Sequence, residues 1–170
     1  KAHDIEGAIG AYKRILELDG RDPAATRDLA EILERTERWQ QLVAVLRRSE
    51  ELCESTEERM AVRMRTAAIW EGQLASTEQA IATYRSILAE GPGHVGALRA
   101  LERLYTNLHR PQELVQIFEK LVALAPGAAE AIHLLFKIGA TWEAGLDDTG
   151  MAVDANRRIL EVEPQNVKAA

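Results

Sequence analysis

Five cationic side chains carry the most usable chemistry in this sequence: Arg27, Arg65, Arg99, Arg103 and Lys137. Arg27, Arg65, Arg99 and Lys137 hold corresponding places in four successive amphipathic segments, and Arg103 follows Arg99 by one helical turn. Such a column could pair with the carboxylates of an acidic peptide segment or partner helix. The competing reading is a solvated helix face with ion pairs inside each helix, for which Arg27 and Glu31 have the required spacing.

Other reactive residue types do not assemble into sites. His3, His94, His109 and His133 lie far apart and never meet Cys, Asp or Glu at metal-ligand spacing, so no metal or cofactor is expected. No nucleophile, base and orienting group form a set, and the expectation is a protein that is not an enzyme. The adjacent carboxylates Asp147 and Asp148 precede a helical segment, where turn and capping roles fit better than acid–base catalysis. Gly91-Pro-Gly-His-Val-Gly96 matches the glycine spacing of dinucleotide-binding loops, but a helix precedes it where those loops need a strand. Glu50, Glu51, Glu54, Glu57 and Glu58 crowd one turn and read as a solvated, helix-starting cluster. Trp39, Trp70 and Trp142 fit core packing better than interface anchoring.

Composition narrows the classes further. Aromatics make up only 5% of the 170 residues while Ala, Leu, Glu and Arg abound, a balance that suits helices packed through small and aliphatic side chains. A net charge of −6 argues against a general nucleic-acid or anionic-membrane surface, since phosphate binding needs clustered cationic excess. No apolar run is long enough to span a bilayer. The single cysteine, Cys53, cannot form an internal disulfide and favours a reducing compartment. The expected location is the cytoplasm, with the periplasm left open because the chain begins at Lys1 without a methionine and reads as a fragment or processed chain.

The elements that position the cations follow from an internal repeat. A shift of about 72 residues aligns Ala8-Ile9, Tyr12 and Ile15-Leu16 with Ala80-Ile81, Tyr84 and Ile87-Leu88. The same shift brings Trp70-Glu71, Leu74 and Thr77 onto Trp142-Glu143, Leu146 and Thr149. About 27 of the roughly 98 aligned positions are identical, several times the ~6–7% expected by chance. Apolar residues recur at helical spacing, as in Leu98, Leu101, Tyr105 and Leu108. The pattern predicts nine helices, near residues 4–19, 24–36, 39–53, 57–74, 77–90, 94–108, 111–124, 128–145 and 149–162. Asp4, Ser76 and Asp148 share one column and are expected as N-caps, and Ser55 with Glu58 and Ser76 with Gln79 fit the capping box. Ala8, Ala80 and Ala152 are expected where helices approach closely.

Taken together, Ala-Ile-x-x-Tyr-x-x-Ile-Leu at residues 8–16 and 80–88, the prolines Pro92, Pro126 and Pro164, and the small pairs Ala67-Ala68 and Gly139-Ala140 resemble tetratricopeptide-repeat proteins, in particular bacterial arrays with two alternating hairpins. Leu42, Leu114 and Glu102 depart from the pattern by replacing small residues. The resemblance implies an all-α, right-handed solenoid of antiparallel helix pairs. It would be a single array over residues 1–170, with units near 1–22, 23–56, 57–92, 93–126 and 127–164. It also implies a concave wall made by the first helix of each pair, which docks a protein or peptide. Clamping of a free C-terminal carboxylate is not expected, because Asn107 is the only asparagine in those first helices. The alternative function is a structural element that self-associates end to end through its incomplete terminal hairpins.

Overall fold

The structure, a computed structural model, describes residues 2–169 and the side chains of residues 4–169. Among the described residues the chain is all helical, with nine helices and no strand: α1 (Ala2–Leu18), α2 (Pro23–Arg35), α3 (Trp39–Leu52), α4 (Thr56–Gly72), α5 (Thr77–Glu90), α6 (Val95–Asn107), α7 (Pro111–Ala123), α8 (Ala128–Leu146) and α9 (Thr149–Val162). Every boundary lies within two residues of the one read from periodicity and turn signals.

Local chemistry explains where the helices start. Asp22 caps α2 by accepting from the backbone N–H groups of Ala24 and Ala25 at 2.9 and 3.0 Å, with Pro23 supplying the preset φ of the first position. Ser55 and Glu58 form the expected reciprocal box at α4. Asp148 caps α9 through Met151 N–H at 3.0 Å, and the Ser76 carbonyl receives the Ala80 N–H at the start of α5. Asp4 corrects the expectation: α1 begins at Ala2, which puts Asp4 inside the first turn, where it complements the helix dipole.

The 72-residue period also governs how the first helices end. Glu37, Ala75, His109 and Asp147 follow α2, α4, α6 and α8, and all four adopt the left-handed conformation, with φ of 57, 48, 53 and 52°. None is glycine, so each turn carries the strain that a Cβ suffers in that region.

The chain forms two compact units, Lys1–Glu90 and Gly91–Ala170. Within each unit every helix packs on its successor. Leu29, Leu33 and Leu42 are sealed in the core of unit 1, and Leu98, Leu101, Leu134 and Ile138 in that of unit 2. Burial of each such side chain stabilises by roughly 1.5–3 kcal/mol before chain entropy is subtracted. The small column behaves as expected at Ala80 and Ala152, which are buried, whereas Ala8 is half-exposed. Trp39 and Trp70 pack half-buried against the unit 1 core, and Trp142 is half-buried in unit 2.

Polar contacts tie neighbouring helices within each unit. Arg48 of α3 donates to the carbonyls of Leu16 and Gly20 at 2.9 and 3.3 Å, satisfying the open end of α1. Arg63 of α4 bridges Glu50 of α3 and Glu90 of α5 at 2.6 and 2.7 Å, which gives Glu50 of the acidic cluster a structural partner. In unit 2, Arg158 of α9 holds both carboxylate oxygens of Glu119 on α7.

Candidate partner-binding grooves

The sequence-derived cations fall into two grooves, one in each unit. In unit 1 a cavity of about 480 Å³ is lined by Arg27 of α2 and Arg65 of α4, with Val45, Leu46, Val62 and Cys53 among its apolar surfaces. Arg65 donates to Glu34 of α2 at 2.5 Å, an ion pair between helices rather than within one. Arg27 is mostly exposed, and its nearest carboxylate is Asp28 at 3.8 Å, not the expected Glu31. The side chain of Asp28 sits beside the start of the Arg27 guanidinium, whereas Glu31 is one turn further along the helix. Cys53 donates its thiol to the Ser49 carbonyl at 3.3 Å, and burial together with the charge of Glu58 pushes the thiol up, away from the reactive thiolate.

Unit 2 builds a larger groove, about 930 Å³, between α6 and α8 with α7 beneath. Arg99, Arg103, Arg110 and Lys137 line it, against the single carboxylate of Glu102. Tyr105, Leu114 and Phe118 contribute its apolar surface. Glu102 accepts from Arg99 at 2.9 Å and from Lys137 at 2.8 Å, and so joins α6 to α8. Burial alone would raise the Glu102 carboxyl, but hydrogen bonds from Lys137 and Arg99 and the charges of both outweigh it and hold the group below the usual glutamate range. Arg99 also donates to Glu130 of α8 at 2.5 Å, and the Lys137 ammonium stands 5.5 Å from the centre of the Phe118 ring. The cations are therefore held by a network that fixes their positions, instead of waving in solvent.

One end of this groove is shaped by close backbone approach. A Cβ on Gly145 of α8 would lie 2.9 Å from the Pro111 Cβ, closer than real carbon atoms come. Glycine thus lets the end of α8 meet the first turn of α7.

The structure therefore brings together Arg27 with Arg65, and Arg99 with Arg103 and Lys137. Arg110, Phe118, Gly145 and the bridging role of Glu102 were not read as site features. The signal for Arg110 was present in its alignment with Arg38, and the departure of Glu102 from a small-residue column marked it as unusual. The remaining candidates take structural parts. His94 accepts from Ala97 N–H at 3.1 Å as the cap of α6, which places the Gly91–Gly96 segment in a turn between helices. His3 has its side chain outside the described residues. Among the described residues no group of His, Cys, Asp and Glu could hold a metal ion.

Residues 97–131 match the sequence pattern of a tetratricopeptide-repeat family. That stretch runs from α6 into α8, through the unit 2 groove. The fold is TPR-like. Similar solved structures span nearly the whole chain. A MamA protein is 21% identical, with 98% of this chain and 87% of that one covered at a TM-score of 0.53. YrrB, described as a TPR protein with an unusual peptide-binding site, is 14% identical, with 99% and 82% covered at 0.53. A tetratricopeptide-repeat protein from Parabacteroides merdae is 18% identical, with 99% and 64% covered at 0.56. Comparison with curated proteins gives no match. No helix among the described residues is long and apolar enough to cross a membrane.

Proposed function

We infer that the chain is a protein-interaction scaffold, one repeat array over residues 1–170, whose first helices α2, α4, α6 and α8 dock a segment of a partner protein. The observation that carries this reading is the placement of Arg27, Arg65, Arg99, Arg103 and Lys137 on two grooves rather than on scattered surface. Concave surfaces with apolar floors and a few fixed polar groups are the usual form of binding sites. A fixed cationic rim selects acidic segments and speeds their encounter. The unusual peptide-binding site of YrrB agrees with this use of the fold. The test is affinity capture with the intact chain and with Arg65 and Arg99 both reversed to Glu, the helicity of each checked by circular dichroism. Loss of captured proteins from a folded variant supports the reading, and an unchanged set removes the cation column.

A second reading, assembly through the end helices, is favoured by one comparison of aligned columns. Ile15 of α1 is 40% exposed where Ile87 and Ile159 are fully buried, and Val153 of α9 is 50% exposed where Ile9 and Ile81 are 3%. Sedimentation over a concentration series, with Val153→Glu as control, tests it. A monomer at every concentration eliminates self-association.

A further inference from the structure

The unit 2 groove ends in a recess where the aligned columns of unit 1 carry bulk. Pro111, Ala144, Gly145 and Thr141 stand where unit 1 has Trp39, Gly72, Gln73 and Ile69. Trp39, at the first position of α3 as Pro111 is of α7, packs its indole on the unit 1 core. In unit 2 nothing of comparable size is supplied. The Thr141 hydroxyl is satisfied by the Lys137 carbonyl at 2.7 Å, and its methyl lies 3.7 Å from the Cβ position of Gly145. The recess therefore opens between apolar or satisfied surfaces, above Leu114 and Phe118.

The charge around the two grooves differs in the same sense. The columns of Arg103, Thr106 and His109, all on the unit 2 groove, hold Glu31, Glu34 and Glu37 in unit 1. An acidic segment is thus attracted to unit 2 and opposed at the corresponding face of unit 1. Charge brings the segment to the groove, but an ion pair at a half-exposed rim contributes little affinity. Burial of an apolar side chain in the recess is the larger available term.

We propose that the unit 2 groove binds an acidic protein segment carrying one bulky apolar anchor, with the anchor in the recess formed by Pro111, Thr141, Ala144 and Gly145 and the flanking carboxylates against Arg103, Arg110 and Lys137. The proposal rests on the scaffold reading and specifies its ligand.

The test uses the whole chain and three short fluorescein-labelled peptides in anisotropy titrations. One has Asp, Glu and Ser around a central Leu. The second has Ser in place of that Leu, and the third has Gln in place of every acid. The Leu peptide is expected to bind about ten-fold or more tightly than the Ser peptide, the gain from burying one leucine. The Gln peptide should bind more weakly than the Leu peptide, with the difference shrinking as salt rises. Ala144→Trp fills the recess from an exposed helix position, and it should remove the preference for Leu while leaving the weaker Ser peptide unchanged. Equal affinity for the Leu and Ser peptides, or an undiminished preference in Ala144→Trp, overturns the anchor and leaves the scaffold reading standing. Failure of all three peptides to bind overturns both.

Discussion

The grooves of the two units are built from the same columns of one repeat, yet they differ in what fills them and in charge. In unit 1, Trp39 occupies the start of the third helix, Ala30 lies buried, and three glutamates descend one side of α2. In unit 2 the matching places hold Pro111, a carboxylate that ties two cations, and Arg103, Thr106 and His109. A shared backbone thus yields one groove closed at this end by its own side chain and another left open and cationic. Duplication conserved the packing positions, where volume is constrained, and let the exposed columns diverge.

That contrast can be broken most strongly in the core. Leu29 and Leu101 occupy one column and are almost fully buried, so Leu29→Ala and Leu101→Ala should each cost about 2–5 kcal/mol in urea denaturation. A column that costs nothing in either unit would refute the shared packing. Trp39→Ala should cost less, about 2–3 kcal/mol because the indole is only half-buried, and should open a second recess detectable as new binding of the Leu peptide.

Glu102→Ala installs the unit 1 residue and frees Arg99 and Lys137. It should cost about 1 kcal/mol while raising affinity for the acidic peptides several-fold, measured by chemical denaturation and anisotropy. The same residue gives a pH test. Its carboxyl is held below the ordinary value of 4.5 in the folded chain, so its stabilising contribution is complete above about pH 4.5 and is lost as pH falls through the lower folded value. Glu102→Gln should therefore flatten part of the acid limb of the stability curve and leave neutral pH comparatively unaffected in slope.

The smallest expected effect sharpens the comparison at the turns. Ala75→Gly relieves a left-handed alanine and should stabilise by about 0.5–1 kcal/mol after the extra freedom of the unfolded glycine is counted. Asp147→Gly, in the same column, should gain close to nothing, because aspartate enters that conformation more readily than alanine. Thermal melts of the two variants would show whether the repeated turn stores equal strain in both units.

The sequence by itself determined the helices, their caps at Ser55 and Asp148, the buried columns and the period that aligns the units. Those features depend on contacts a few residues apart or on apolar positions that recur regularly. It also marked Arg27, Arg65, Arg99, Arg103 and Lys137 as corresponding positions, since their column could be read without coordinates. Tertiary structure alone decided their partners. Glu34, Glu102 and Glu130 come from neighbouring first helices about thirty residues away, and which carboxylate reaches which cation depends on side-chain reach between packed helices. Only packing, too, could show that Gly145 meets Pro111 while Trp39 fills the matching place, because an open recess is defined by the side chains that fail to meet in space.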